Sequence, residues 1–284
     1  MTFTKRIFLF LAIVLTSHTY AQTISMDQLS MEDALRRLQL MGKIEGDISF
    51  MLRPIQSTRL HSWDSVLQSI DPSVKAMGNK KMDKHFLGKW GYARVLPVQI
   101  TQQYVTAQPF QELDGPMIAS SGYQVMASAG IFAKLGPLTI QLQPQYVSAA
   151  NSDFRGTKQT PNYQQTYWGN SSIRLNAGPV SVGISTENIT WGPSLMNPLL
   201  MSAHAPGFLH YTLNSRRPLR TPIGSFEWQW VATFLDGIDP KYNGIADISY
   251  ADATQRRYFN GAMLSYQPKW IKGLSMGLTR VVQE

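Results

Sequence analysis

The sequence predicts an all-β protein, an antiparallel barrel with small helical elements near its N-terminus. Three observations carry that expectation. From Gly91 onward apolar residues recur at every second position; the residues between them are mostly uncharged and polar; and short Gly-Pro turns alternate with long polar stretches. Alternation sustained over about ten residues marks strands with one apolar and one wet face. A wet face of Gln, Ser, Thr and Gly suits an aqueous lumen better than the Lys- and Glu-rich outside of a soluble sandwich, although sandwiches alternate too.

The chain opens with an export signal. Lys5 and Arg6 precede an unbroken apolar run over 7–15, and Thr19-Tyr20-Ala21 supplies small residues at cleavage spacing. This reads as a secretory signal peptide over 1–21, cut after Ala21. The run is far shorter than the roughly 20 residues of a spanning helix. With 0 cysteines, the chain excludes lipoprotein attachment, disulfides, thiolate nucleophiles and Cys-based metal sites.

Residues 22–90 form a mixed segment. Ser30 is placed to cap a helix whose apolar positions Met31, Leu35, Leu38 and Met41 share one face, and Gly42 is placed to end it. Residues 47–53 alternate as a strand, with Ile48, Phe50 and Leu52 opposite Ser49, Met51 and Arg53. A second helix is expected over 62–70, interrupted by Asp71-Pro72.

Residues 91–284 are the strand region. Leu96, Val98 and Ile100 alternate with Pro97, Gln99 and Thr101. Tyr123, Val125, Ala127, Ala129 and Ile131 alternate with Gln124, Met126, Ser128 and Gly130. The same rhythm runs through Leu138–Leu142, Val180 to Ile184, Phe226 to Thr233 and Leu274 to Thr279, with an added strand over 208–214. Gly136-Pro137, Gly178-Pro179 and the stretch 267–273 read as turns. The longer stretches 107–121, 148–165, 188–207 and 235–256 fall at the opposite end, and 215–223 is intermediate. Bacterial outer-membrane barrels have this asymmetry of short periplasmic turns and long external loops. The count is about nine strands, and Val281-Val282-Gln283-Glu284 follows directly on a strand start. An odd count suits a single-chain barrel poorly, so the sequence is expected to be a truncated part of a larger barrel. Residues 47–53 are the one candidate for making the count even.

The stretch Trp191-Gly192-Pro193-Ser194-Leu195-Met196-Asn197-Pro198-Leu199-Leu200-Met201-Ser202-Ala203-His204-Ala205-Pro206-Gly207-Phe208 resembles the signature region of the capsule-assembly Wzi family, in its Bacteroidetes-type versions. Shorter matches occur in order at Ser49 to Pro54, Gly122-Tyr123-Gln124, Gly136-Pro137-Leu138, Pro144 to Val147 and Arg257 to Gly261. The resemblance implies an outer-membrane barrel with a lectin-like role, binding capsular polysaccharide and helping to fix it to the cell surface. Family members are usually longer, and Ala203-His204 stands where relatives commonly carry Asn.

Formal charge is +8, of which Lys5 and Arg6 contribute two. Export argues against nucleic acid as the basic chain's partner; lipopolysaccharide or an acidic polysaccharide fits better. Candidate polysaccharide-binding residues are Trp191, Asn197, His204, His210, Arg216 and Arg217, which offer an aromatic face, polar groups and guanidinium forks for uronic-acid carboxylates. The competing structural reading makes Trp191-Gly192-Pro193 a rigid turn and packs Leu199, Leu200 and Met201 into the lumen. Phe226, Trp228 and Trp230 are read as lipid-facing or interfacial aromatics. No catalysis and no cofactor or metal are expected. Asp236 and Asp239 sit in a turn-rich stretch, His204 and His210 lack zincin spacing, and there is no nucleophile elbow, P-loop or dinucleotide fingerprint. The alternatives are a porin- or transporter-type barrel without specific sugar binding and an exported carbohydrate-active enzyme.

Overall fold

The computed structural model describes residues 22–23, 29–43, 49, 51–57, 84–86, 90–106, 108–109, 115–151, 162–194, 197–235, 256–271 and 273–284. In chain order the elements are β1 (Gln22–Thr23), α1 (Leu29–Leu40), β2 (Leu52–Arg53), β3 (Gln56–Ser57), β4 (Lys84–Phe86), β5 (Gly91–Val105), β6 (Gly122–Leu135), β7 (Leu138–Leu142), β8 (Gln145–Ala149) and β9 (Tyr163–Tyr167). They continue with β10 (Ser172–Ala177), β11 (Val180–Ser185), β12 (Thr190–Trp191), β13 (His210–Ser215), β14 (Leu219–Thr221), β15 (Gly224–Leu235), β16 (Arg257–Pro268) and β17 (Met276–Gln283). The protein is mostly antiparallel β-sheet, as expected, with one short helix among the described residues.

Among the described residues, thirteen strands form one antiparallel meander. From one end it runs β4, β5, β6, then β7 and β8 in line, β10 and β9 in line, β11, β13 with β14, β15, β16 and β17. With β7/β8, β10/β9 and β13/β14 each taken as one interrupted strand, and β12 set aside in its pair with β2, neighbours in the sheet follow chain order and short and long connections fall at opposite ends. In both Gly-Pro turns the glycine adopts a positive φ, 56° at Gly136 and 57° at Gly178. That is the first central position of a type II′ hairpin turn, and the following proline supplies the fixed negative φ of the second. The signal expected over 208–214 becomes β13, beginning two residues later at His210.

The polarity of the sheet is inside-out. Along β6 the buried residues are Gln124, Met126, Ser128, Phe132 and Lys134, whereas Tyr123, Ile131 and Leu135 are exposed. The pattern repeats on β10 and β11, where Arg174, Asn176, Ser181 and Ser185 are buried and Ile173, Leu175, Val182 and Ile184 are exposed. On β13 and β15, Thr212, Asn214, Glu227 and Gln229 are buried and Tyr211, Leu213, Trp230 and Phe234 are exposed. Trp230 thus takes the outward face expected of it.

The expected alternation through Leu96, Val98 and Ile100 fails at one point. Leu96 pairs with Gly130 but Gln99 with Ser128, so β5 carries one extra residue at Pro97–Val98. One extra residue reverses every later side chain, and Leu96 is buried while Val98 and Ile100 are exposed. The irregularity extends across the sheet: Pro97 lies level with Gly130, the Gln143-Pro144 break between β7 and β8, and residues 168–171 between β9 and β10. Neither proline can donate a ladder bond. Side chains replace what the backbone loses here. The Gln143 N–H donates to Ser171 Oγ (3.0 Å), and Ser128 Oγ and Gln143 Nε2 both donate to Gln99 Oε1 (3.2 and 3.3 Å).

The N-terminal segment lies against the polar face. Helix α1 ends as expected at Gly42: the Gly42 N–H bonds Gln39 O and the Lys43 N–H bonds Leu38 O, the paired bonds of a Schellman motif. The helix starts at Leu29, so Ser30 falls inside its first turn, and Met41 is exposed rather than sharing the buried face of Leu35 and Leu38. Of the strand expected over 47–53 only Leu52–Arg53 is a strand among the described residues. It pairs with β12 outside the main sheet and so is not the strand that evens the count; β4, paired with β5, adds a tenth position to the nine expected. Ile48, Phe50 and the helix expected over 62–70 lie outside the described residues, as do residues 1–21.

This strap is clamped from both sides. The Gly192 N–H donates to Met51 O (2.8 Å), and Arg53 Nη1 donates to Ser194 O (2.6 Å). Met51 and Leu52 join Ile189, Trp191, Val231, Phe259 and Met263 in one buried apolar cluster. Two glycines make room for it. A Cβ on Gly261 would stand 2.6 Å from the Trp191 ring, and one on Gly277 would stand 2.5 Å from the Met51 methyl. Gly261→Val is expected to lower stability by about 1–3 kcal/mol through overpacking, and Trp191→Ala by about 3–5 kcal/mol. In the Trp191→Ala background the Gly261→Val penalty should largely vanish. Urea unfolding of the four species checks this cycle, and an undiminished penalty would show that the ring does not set the fit.

Candidate functional site

The polar face divides into two regions. At the long-loop end, Arg174 on β10 meets Glu187 just after β11, Nη2 to Oε2 at 2.6 Å, with both side chains buried. Arg174 Nη1 also donates to Asn214 Oδ1 (3.0 Å) on β13. Ser185 and Ser172 hydroxyls donate to the Glu187 carboxylate at 2.9 and 3.4 Å. A buried ion pair needs its remaining lone pairs and protons bonded. Residues of β10, β11 and β13 supply three such bonds, and among the described residues Arg174 Nε is left without a partner. Neither charge was among the sequence candidates. The available signal was Arg174 itself, a lone charge on the polar side of an otherwise uncharged strand, which needs a partner across the sheet.

At the short-turn end, Arg216 is buried. Its Nη1 donates to Gly178 O (3.1 Å) and its N–H to Pro179 O (2.8 Å), tying the β13–β14 junction to the neighbouring turn. Between this junction and the strap is a small cleft lined by Arg216, Arg217, Asn214, Glu227, Gln229 and Ser49. Glu227 is buried and accepts a hydrogen bond from the Ser49 side chain, with Arg36 of α1 near by. Arg36 Nη2 donates to Ser49 O (3.2 Å), so helix, strap and β15 meet at one polar point.

The six sequence candidates therefore do not form one site. Trp191 is packed in the apolar cluster with its Nε1 donating to Gln229 Oε1 (2.8 Å), so its ring faces are not available to a sugar. His210 is buried, its Nδ1 lies 2.7 Å from Phe208 O, and its ring packs on Phe208. Asn197 and His204 are exposed on the loop between β12 and β13. Arg216 and Arg217 stand at the other end of β13, roughly 20 Å away at strand rise. Of the residues expected to pack that loop inward, Met201 joins the cluster, while Leu199 is 98% exposed and Leu200 41%. Asp236 and Asp239 lie outside the described residues.

Removing one partner of the buried pair leaves the other uncompensated. Arg174→Met is expected to destabilise by about 3–5 kcal/mol, whereas Arg174→Met with Glu187→Leu should recover most of that loss. Urea titration of both variants checks this. A double variant as unstable as the single would mean the pair itself, not its imbalance, holds the strands.

A scan against protein-family models, a search of curated proteins and a search of solved structures return no match for this chain.

Proposed function

We propose that this chain is an outer-membrane β-barrel protein, closed around its polar face and exported through a cleaved signal peptide, that binds capsular polysaccharide without catalysis. One observation carries the reading. Strand after strand turns Ile, Leu, Val, Tyr and Trp to the open side and buries Gln, Asn, Ser, Thr, Arg and Glu on the other. In water that arrangement leaves a broad apolar face exposed against the hydrophobic effect. In a bilayer it places the apolar face in hydrocarbon and the polar face toward a lumen. Edges left open to lipid would hold unpaired backbone groups, which favours closure.

The polysaccharide part rests on the Wzi-like stretch 191–208, which lies at the long-loop end. Within it Asn197 and His204 face solvent, and these are the residues assigned to glycan contact; Arg216 and Arg217 stand too far away to join them. Asn197→Ala with His204→Ala is expected to reduce retention of capsule on cells by several-fold, while the protein remains in the outer-membrane fraction. Unchanged retention at equal protein level refutes the glycan assignment. Conductance in planar bilayers without any glycan binding would favour the porin-type alternative.

A further inference from the structure

Acidic charge is sorted along the strand axis, although Arg155, Lys158, Lys241 and Arg256 place cations in the long connections too. Every Asp and Glu from Gly91 onward lies in the long connections, except the buried Glu227 and the terminal Glu284. The short connections carry none. They hold Lys89 between β4 and β5, Arg216, Arg217 and Arg220 around β14, and Lys269 and Lys272 between β16 and β17. Lys84, Arg217, Arg220 and Lys269 are exposed.

The same rim is aromatic and apolar. Trp90 is 57% exposed at the β4–β5 turn and Trp270 67% at the β16–β17 turn, and Ile223 and Ile271 are half exposed near Trp270. Trp90 is fixed there because its carbonyl accepts the Gly136 N–H (2.8 Å). The Ile223 carbonyl accepts the Tyr266 hydroxyl (2.9 Å), and Tyr266 stacks on Phe226 with ring centroids 4.6 Å apart. Exposed tryptophan alongside cations, directly bordering the apolar face, is the arrangement of a membrane–water interface. A polysaccharide or cell-wall polymer would be served by the cations but gives no reason for Trp90, Trp270, Ile223 and Ile271 to stand among them.

We propose that the short-turn rim is a docking surface for anionic phospholipid headgroups, with Arg217, Arg220 and Lys269 holding the phosphates and Trp90 and Trp270 seated at the acyl boundary. This rests on the membrane reading above, and in that reading the rim selects the lipid of the leaflet on its own side. Cations at a lipid surface each strengthen association roughly fivefold at low salt, so three contribute about 100-fold. Screening weakens this as ionic strength rises.

The test is insertion of the full mature chain into phosphatidylcholine vesicles and into the same vesicles containing phosphatidylglycerol, at low and high NaCl. The readout is the lipid concentration giving half-maximal protection from protease. The wild type is expected to need on the order of 100-fold less of the anionic vesicles at low salt, with the preference collapsing at high salt and in R217Q/R220Q/K269Q. The salt arm decides the matter even if the triple variant fails to fold. Equal insertion into both vesicles overturns the headgroup assignment and leaves the membrane reading standing. Retention on purified cell-wall sacculi, lost in the triple variant and unaccompanied by lipid preference, also overturns it. Insertion into neither vesicle overturns the membrane reading itself.

Discussion

The structure depends on a constraint imposed by its own polarity. The sheet buries its hydrophilic side, so a polar group left there without any partner makes the polar face a source of instability. The Arg174–Glu187 pair, the Gln99–Ser128–Gln143 cluster and the Ser49–Glu227 contact are answers to that one requirement. Each ties together segments that are apart in the chain: Arg174 of β10 to the end of β11, Gln99 of β5 to β6 and the β7–β8 break, and Glu227 of β15 to the strap.

The strap deepens the same arrangement. Residues 51–55 introduce an apolar cluster into the polar side, and the sheet accepts it only where glycine leaves space. Trp191 from the long-loop end and Met51 from the N-terminal segment meet over Gly261 and Gly277, so two parts of the chain far apart in sequence depend on the same stretch of wall. The functional proposal draws on both sides of this sheet. The outer face gives the bilayer reading, and the two ends, one with long connections that hold most acidic residues from Gly91 onward and one with short basic turns, give that bilayer a direction.

Local chemistry made much of the fold legible. Period-two alternation, the Gly-Pro hairpins and the helix stop at Gly42 each depend on neighbours a few residues away, and each stands in the structure. The sequence is a poor guide where one residue changes the count or where contact is long-range. Pro97 signalled a bulge that strict alternation overlooked, and with it the face of every later residue of β5. Trp191 looked like a loop aromatic because Gly261, which receives it, is seventy residues on. Arg216 and Arg217 looked close to His210 because six residues are short along the chain, but in a strand they span the length of β13. The partner of Arg174 was missed because the Gly178-Pro179 hairpin sets Arg174 opposite Gly183, whereas Glu187 reaches it from two residues beyond the end of β11.

The central claim is that the apolar face meets hydrocarbon while the polar face does not. The chain has 0 cysteines, so single cysteines carrying spin labels can be placed cleanly. Labels at Ile131, Ile173, Val182 and Leu213 would be compared with labels at Ser128, Asn176, Ser181 and Thr212 after reconstitution in bilayers. The first set is expected to relax readily with oxygen and poorly with a water-soluble nickel complex, and the second set is expected not to collide with membrane oxygen. Free access of the nickel complex to the first set would contradict it.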